Sequence, residues 1–205
     1  MEAALRDTEK NFTEQLAAFG ISLSPEQLMQ FRQFYENLIK WNEVMNLTAI
    51  TEEADVYTKH FLDSLSIVGL VGPGSFEKLS VIDIGTGAGF PGLPIAIAFP
   101  GAQVTLVDSL QKRVKFLEET VKLLGLRNVQ IFHSRAEDFG RIEAKREHYD
   151  IACSRAVARL NVLAEYCLPL VKKAAISLPT RRTALRKKWK TARRPQPFSE
   201  GKWIR

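Results

Sequence analysis

Cysteine is scarce in this chain, and no segment is apolar enough over a sufficient length to cross a membrane. Only Cys153 and Cys167 are present, at a separation that fits neither a metal motif nor a disulfide framework, so we expect reduced, structural thiols and no metal site. The first ten residues hold Glu2, Asp7 and Glu9 with no apolar segment after them, unlike a secretory signal. No apolar run approaches the roughly 20 residues of a membrane span. These absences predict a cytoplasmic protein without a membrane partner.

A net positive charge is also lacking in most of the chain, although the formal net charge of the whole is +6. Residues 1–173 hold 19 Lys and Arg against 22 Asp and Glu, whereas residues 174–205 hold 10 Lys and Arg against one Glu. The basic character therefore belongs to residues 174–205, here called the basic tail. The net positive charge of the whole chain therefore does not indicate that residues 1–173 bind nucleic acid.

Helical periodicity marks the first 75 residues. Apolar residues recur at helical spacing in three segments: Phe12, Leu16 and Phe19; Leu28, Phe31, Tyr35 and Leu38; and Val56, His60 or Phe61, Leu65 and Val68. Ser24, Pro25 and Gln27 have the order of an N-cap, a first helical residue and a capping box, so they predict the start of the second helix. We expect residues 1–75 to form a helical extension packed on the core.

From residue 79 the pattern changes to short apolar runs separated by helical segments. The runs lie at residues 79–84, 104–107, 128–132 and 149–153. Strands that alternate with helices predict an α/β fold, with a mostly parallel sheet covered by helices on both faces. We place this domain at residues 76–173.

A glycine-rich loop follows the first of these strands. Gly85, Gly87 and Gly89 can adopt positive φ and leave no side chain between the backbone and a ligand. Asp83 places a carboxylate at the carboxyl end of the strand, where ligands of open α/β sheets bind. Residues 87–92 also match G-x-G-x-x-G, so the loop alone is compatible with a nicotinamide or flavin cofactor.

The residues after the next two predicted strands indicate which kind of cofactor the loop binds. Asp108 ends the second strand, and Ala136 and Glu137 follow the third. This order resembles the class I S-adenosylmethionine-dependent methyltransferases, which have a Rossmann-like fold. The resemblance implies that Asp108 takes the ribose hydroxyls, two of which a carboxylate can accept at once, and that the segment at Ala136 borders the adenine. The alternative for Asp108 is an acid favoured by the dipole of the following helix.

Four further motifs extend the resemblance. They are Trp41-Asn42-x-x-x-Asn46-Leu47-Thr48-Ala49-Ile50, His60-Phe61-x-Asp63-Ser64, Phe90-Pro91-Gly92-x-Pro94 and Ser154-Arg155-Ala156-Val157-Ala158. They resemble the bacterial small-subunit ribosomal RNA methyltransferase G family, also known as glucose-inhibited division protein B, which methylates N7 of guanine in 16S ribosomal RNA. The resemblance implies S-adenosylmethionine as cofactor and the small ribosomal subunit as partner. We expect a monomeric protein, an expectation that does not come from the motifs. The resemblance also implies cofactor contacts from Gly85, Phe90, Ala136, Glu137 and Arg155, which with Asp83, Gly87, Gly89 and Asp108 form the candidate cofactor site.

The implied reaction needs no base, because N7 of guanine has a free lone pair. We therefore name no catalytic residue and expect catalysis by positioning, which can supply roughly 7 to 11 kcal/mol in favourable cases. A non-catalytic RNA-binding remnant of the family is the alternative function, followed by a nicotinamide-dependent oxidoreductase.

Several polar and aromatic residues have two interpretations. Arg155 follows the fourth strand, so we expect it at the pocket rather than on the surface. His60 and Asp63 favour a hydrogen-bonded structural pair over catalysis, and Trp41 favours core packing over stacking on a substrate base. Three basic residues lie close together on one predicted helix: Lys112, Arg113 and Lys115. They are equally consistent with a solvated helix face and with contact to RNA phosphate.

The basic tail departs from the family pattern. After Lys173 we find no strand-like run where the family continues with further strands. We favour a shifted reading frame or otherwise altered end, with an incomplete sheet and a poorly ordered tail, over a basic extension that binds RNA phosphate. From this we expect low stability and weak or absent methyl transfer by this chain.

Overall fold

The computed structural model describes residues 6–155 and 160–179. Its α-helices are α1 (Asp7–Ala17), α2 (Pro25–Met45), α3 (Glu53–Val56), α4 (Asp63–Leu65), α5 (Pro73–Phe76), α6 (Gly92–Ala98), α7 (Gln111–Leu123), α8 (Ala136–Phe139) and α9 (Leu160–Cys167). Its strands are β1 (Ser80–Ile84), β2 (Gln103–Asp108), β3 (Val129–His133), β4 (Tyr149–Ser154) and β5 (Val171–Pro179). A π-helical segment, Tyr57–Leu62, joins α3 to α4, and 3-10 segments lie at Ser66–Leu70, Glu143–Lys145 and Leu168–Leu170.

The predicted helical extension is present, and its second helix begins where the capping box placed it. Ser24 Oγ accepts a hydrogen bond from the Gln27 N–H at 3.2 Å, and Gln27 Oε1 accepts one from the Ser24 N–H at 2.8 Å. Asn46 ends the helix in a left-handed conformation with φ 48°. Local sequence therefore sets both ends of α2.

The extension shares one hydrophobic core with the sheet. Buried aromatic rings from two helical segments converge on Phe90, which follows β1. The centroid of Phe34 in α2 lies 5.2 Å and that of Phe61 in the π-helical segment 6.0 Å from the centroid of Phe90. On its other side α2 is tied to α7, because Asn37 Nδ2 donates to Thr120 Oγ1 at 2.9 Å. The helical extension thus rests directly against the loop after β1.

The five strands are parallel and lie in the order β3-β2-β1-β4-β5. Alternate residues of β1 face different clusters, Val81 the one shared with the extension and Ile82 the one that includes Phe139 and Leu170. Both faces are therefore covered, as predicted. The chain passes from β1 to β2 on one side, while β4 lies on the other, so the order reverses at β1, where ligands of such sheets bind.

The fifth strand is longer than the sequence predicted. We expected no strand-like run after Lys173, yet β5 continues to Pro179 in parallel with β4. The segment Ala174–Pro179 has no charged residue, so it can extend a strand that begins at Val171. The remainder of the basic tail, residues 180–205, lies outside the described residues, as does the expectation that it is poorly ordered.

Candidate cofactor site

The candidate site is built on the loop between β1 and α6, at the carboxyl edge of the sheet. Gly85, Gly87 and Gly89 have φ values of 67°, 62° and 86°, the left-handed conformations that the glycine pattern predicted. Gly85 N–H donates to the Val107 carbonyl at 2.8 Å, which fixes the start of the loop to the neighbouring strand. The loop therefore turns sharply over the ends of β1 and β2.

Asp83 holds this loop from beneath. Its side chain is fully buried, and Oδ2 accepts hydrogen bonds from Thr86 Oγ1 at 2.7 Å and from the Gly92 N–H at 2.9 Å. Oδ1 is buried without a hydrogen-bond partner among the described atoms. Burial raises the pKa of Asp83 to about 6, although the hydrogen bonds from Thr86 and Gly92 oppose the shift. Asp83 thus places a buried acid under the loop and links β1 to the start of α6.

Asp108 holds the same loop from the side of β2. Oδ2 accepts from the Gly87 N–H at 2.9 Å, and Oδ1 accepts from the Leu110 N–H at 2.9 Å, before α7 begins. Arg113 Nη1 lies 3.6 Å from Oδ2. Asp108 therefore lies just before the N-terminus of α7, as the alternative interpretation based on the dipole of this helix predicted. Each carboxylate oxygen has two acceptor positions, so contact with ribose hydroxyls stays a prediction compatible with these bonds.

Two glycines of this region are required by close packing, and a third borders open space. A Cβ at Gly92 would collide with Leu106, and one at Gly89 would collide with Leu93. A Cβ at Gly87 would meet nothing within 4 Å. The outer surface of the loop at Gly87 is therefore free of side chains where a ligand could approach its backbone.

Ala136 and Glu137 begin α8, just beyond β3. The Ser134 N–H donates to the Asp108 carbonyl at 3.0 Å, so the segment that leads to Ala136 lies beside the end of β2. Glu137 is exposed, and its Oε1 accepts from Tyr166 Oη at 2.8 Å. A hydrogen bond from its own backbone N–H, and then the one from Tyr166, lower the pKa of Glu137. Tyr166 was not predicted from the sequence, because contact between α8 and α9 leaves no local pattern.

Arg155 and Phe90 come together at the boundary between the sheet and the helical extension. The guanidinium carbon of Arg155 lies 4.7 Å from the centroid of the Phe90 ring. Arg155 Nη2 lies 3.0 Å from His60 Nδ1, and Arg155 Nη1 lies 3.6 Å from Asp63 Oδ2. The spacing of His60 and Asp63 predicted a pair with each other, whereas each of them contacts Arg155.

Thr48 contacts the same group through His60, and from the sequence it was known only as part of a motif. Its Oγ1 lies 2.9 Å from His60 Nε2, and its N–H donates to Asn42 Oδ1 at 2.8 Å. Thr48 lies in the loop between α2 and α3, so only folding brings it to Arg155. Its presence in the motif at residues 41–50, which precedes the motif that contains His60, was the available signal.

The remaining candidates lie away from this group. Trp41 packs edge-on against Phe116 with a centroid distance of 5.8 Å, as expected for core packing. Lys112 and Lys115 are exposed on α7, and Arg113 pairs with Asp108. Cys153 is fully buried, and burial raises the pKa of its thiol well above the usual value.

The residues present fit a cofactor with both cationic and hydroxyl groups. The side-chain-free loop at Gly87 borders open space, and two carboxylates lie beneath and beside it. Within residues 6–155 and 160–179 no cluster of three or more His, Cys, Asp and Glu side chains is arranged to hold a metal ion. None of the helices in the described parts of the chain is long and apolar enough to cross a membrane.

The strand order, the glycine loop after β1 and the acid after β2 together define a Rossmann-like domain of the class I methyltransferase type. The fold agrees with a solved structure from Galdieria sulphuraria, a candidate sarcosine dimethylglycine methyltransferase. That structure has a TM-score of 0.50 and 17% identity over 62% of this chain and 48% of its own.

The comparison of sequences is more specific. The model of the family described as rRNA small subunit methyltransferase G matches residues 27–202. A relative from Bacillus pumilus with the name ribosomal RNA small subunit methyltransferase G is 51% identical over 176 residues, which are 85% of this chain and 72% of the relative. Relatives of the same name from Bacillus subtilis and Listeria monocytogenes are 54% identical over 165 residues (80% of this chain, 68% of the relative) and 47% identical over 194 residues (94% and 80%). The chain belongs to the rRNA small subunit methyltransferase G family, as its motifs indicated.

Proposed function

We propose that this chain transfers a methyl group from S-adenosylmethionine to N7 of guanine in 16S ribosomal RNA of the small ribosomal subunit. The observation that carries the proposal is the glycine loop held between Asp83 and Asp108, with Arg155 and Phe90 beside it, in a member of this family. The names of the relatives supply the small-subunit RNA. The resemblance of the motifs supplies the N7 atom and the 16S molecule.

The chemistry asks the protein for position rather than for proton transfer. S-adenosylmethionine, when bound, supplies a methyl group on a sulfonium, which N7 of guanine can accept without first losing a proton. The loop from Gly85 to Phe90 fixes the backbone that would hold the cofactor, and Asp108 offers its acceptor positions to hydroxyl groups. The buried carboxylate of Asp83 favours a cationic ligand above it. Arg155, one-fifth exposed, presents a guanidinium plane at the rim.

The target base must leave its stack before N7 can reach the loop. Aromatic rings and guanidinium planes hold unstacked bases in many RNA-binding sites. The Arg155 and Phe90 pair offers such a surface next to the glycine loop. The exposed lysines of α7, Lys112 and Lys115, lie on the helix that begins at the site and can contact phosphate there.

Cofactor binding is tested first. Calorimetry should detect binding of S-adenosylmethionine by the 205-residue protein and no binding of nicotinamide cofactors. A Gly87→Leu variant should lose cofactor binding, because its side chain would enter the open space above the loop and would strain a backbone with φ 62° that donates to Asp108. Its denaturation midpoint shows whether the fold survives the change. Binding of a nicotinamide cofactor instead would point to the oxidoreductase.

Methyl transfer is tested with small ribosomal subunits that lack the modification and a methyl-labelled cofactor. With protein in excess over subunits, even a slow reaction gives product, and the label should appear as N7-methylguanine in 16S RNA. Label on another atom or another RNA would contradict the proposed specificity. RNA binding without any label, under conditions where the Bacillus subtilis relative labels its target, would favour the non-catalytic remnant.

A further inference from the structure

His60 lies in the π-helical segment Tyr57–Leu62 of the helical extension. It contacts Thr48 of the same extension and Arg155 of the candidate site. Its ring is buried, with 9% exposure, and stacks on Phe90 at a centroid distance of 4.6 Å and an interplanar angle of 19°. One ring nitrogen faces Thr48 and the other faces Arg155. Single π-turns in a helix often occur at functional sites, since they change the direction of one side chain.

The chemistry of the two neighbours fixes the protonation of the ring. A guanidinium has donors only, so the 3.0 Å contact requires His60 Nδ1 to accept from Arg155 Nη2. Nε2 then carries the hydrogen of the neutral ring and donates it to Thr48 Oγ1 at 2.9 Å. A protonated imidazole would instead point an N–H at the cationic Arg155.

Thr48 is itself held by the helical extension. Its N–H donates to Asn42 Oδ1 at 2.8 Å, and its Oγ1 also accepts from the Ile50 N–H at 3.0 Å. Asn42 belongs to α2, whose N-cap and C-cap are both formed. The Thr48 hydroxyl therefore offers a fixed acceptor to His60, and the orientation of the ring follows from α2 and its succeeding loop.

The geometry also fixes how Arg155 lies on Phe90. Imidazole and guanidinium both rest within 4.7 Å of the Phe90 centroid. Groups on opposite faces of the ring would be too far apart for the hydrogen bond between them, so both lie on the same side. His60 and Asp63 thus direct Arg155 across the ring that follows the glycine loop.

We propose that His60 is a positioning residue for the cofactor site: as the Nε2–H tautomer fixed by Thr48, it holds the Arg155 guanidinium across Phe90 in the orientation that cofactor binding requires. This role rests on the proposed function, because it assigns His60 an effect on S-adenosylmethionine. It also assigns a function to the helical extension, which completes the site from outside the α/β domain.

Two substitutions separate the two ring nitrogens. His60→Asn places an amide oxygen near the position of Nδ1 and keeps an acceptor for Arg155, whereas His60→Gln reaches only the position of Nε2 and keeps the contact with Thr48. By calorimetry, His60→Gln should weaken binding of S-adenosylmethionine about tenfold, the effect of losing one hydrogen bond to a charged group. His60→Asn should weaken it less than about threefold. In turnover, KM for the cofactor should rise while kcat at saturation changes less than about threefold.

The controls distinguish positioning from stability. Both His60 variants should unfold at similar denaturant concentrations, and His148→Gln, at an exposed histidine, should bind the cofactor as the parent protein does. Adding His60→Gln to Arg155→Met should cause no further loss, because His60 acts through Arg155. Equal losses in the Asn and Gln variants, or additive losses in the double variant, would overturn the proposal.

A measurement on the ligand-free protein separates this proposal from the proposed function. Nitrogen-15 NMR should show His60 neutral with its hydrogen on Nε2 at neutral pH, and His60→Gln should shift the Arg155 side-chain resonances. A hydrogen on Nδ1, or unchanged Arg155 resonances, would overturn the positioning role. Failure of the parent protein to bind S-adenosylmethionine, with the NMR result as expected, would instead reject the proposed function and with it the effect assigned to His60.

Discussion

Asp83 keeps an ionisable carboxyl group where water does not reach it, directly under the glycine loop. The group remains there because the loop needs an acceptor for the Thr86 hydroxyl and for the Gly92 N–H, and a single oxygen serves both. Its other oxygen is buried without a hydrogen-bond partner among the described atoms. Such an arrangement disfavours the charged form, so the residue that shapes the site also reduces stability at neutral pH.

We predict that Asp83→Asn removes a pH dependence of stability between about pH 4 and pH 6. The pKa of Asp83 is about 6 in the folded protein, above its ordinary value of 3.8, so the folded state takes up this proton first as the pH falls. The contribution of Asp83 to the free energy of unfolding should therefore rise by about 2 kcal/mol from pH 6 to pH 4, which is most of the roughly 3 kcal/mol that the pKa difference allows. Urea unfolding of both proteins across this range measures the difference.

The exposed Asp138 supplies the control for this prediction. Asp138→Asn also removes one carboxyl group, but from an exposed side chain of α8, so it measures the general effect of losing the charge. A difference for Asp83→Asn that is constant with pH would contradict the raised pKa of Asp83.

Some residues of the site could be predicted from the sequence, and others could not. The glycine spacing predicted the left-handed turns, which are a local property of the backbone. The contacts of Arg155 with His60 and Asp63 could not be predicted in detail, because they join segments more than 90 residues apart. The contacts of Thr48 with His60 and of Tyr166 with Glu137 join residues 12 and 29 apart, and they were missed because neither leaves a local pattern.

At the scale of elements, a buried ion pair holds α1 against α2 within the helical extension. Glu9 is fully buried, and its two oxygens accept from Arg32 Nε and Nη2, both at 2.7 Å. Burial alone would raise the pKa of Glu9, but the hydrogen bonds from Arg32 and from the Arg6 backbone lower it. Glu9 thus favours the folded state when ionised, and this contribution is lost as the pH falls through its lowered pKa.

We predict that Glu9→Gln lowers the free energy of unfolding by about 2 to 3 kcal/mol. Breaking a buried pair typically costs about 3 to 5 kcal/mol, and the partial exposure of Arg32 reduces that penalty. Chemical denaturation at pH 7 measures the change. Glu14→Gln, on the exposed face of the same helix, should change stability by less than about 0.5 kcal/mol, and equal effects of the two substitutions would refute the importance of the pair.

Most elements were predictable because their signals are local. The capping box marked the start of α2, and apolar runs marked β1 to β4 within one or two residues. The π-helical segment was not predictable, since its apolar spacing reads as an ordinary helix. The last part of β5 was not predicted, because residues 174–205 were interpreted together from their basic composition. The six residues that follow Lys173 are uncharged and form the end of the strand.

The whole molecule has an uneven distribution of charge. Residues 180–205 contain all 10 Lys and Arg of the basic tail and its one Glu, while residues 1–173 carry a small negative excess. The family match extends to residue 202, and the alignments of 194 residues have lower identity (46 to 47%) than those of 164 or 165 residues (52 to 54%). Lower identity in longer alignments is expected if the tail departs from the family.

We predict that this departure makes the chain a slow methyltransferase while leaving its cofactor loop formed. In the described sheet β5 pairs with β4 at one edge, and an edge strand without cover is costly. A chimera of residues 1–173 with the C-terminal end of the Bacillus subtilis relative should be more stable than the present chain and should methylate small subunits at least about tenfold faster, an effect of about 1.4 kcal/mol on the barrier. The Bacillus subtilis protein is the positive control. Equal rates for chain and chimera would show that the tail completes the protein. A family-like continuation in another reading frame of the encoding DNA would support an altered end, and its absence from every frame would contradict one.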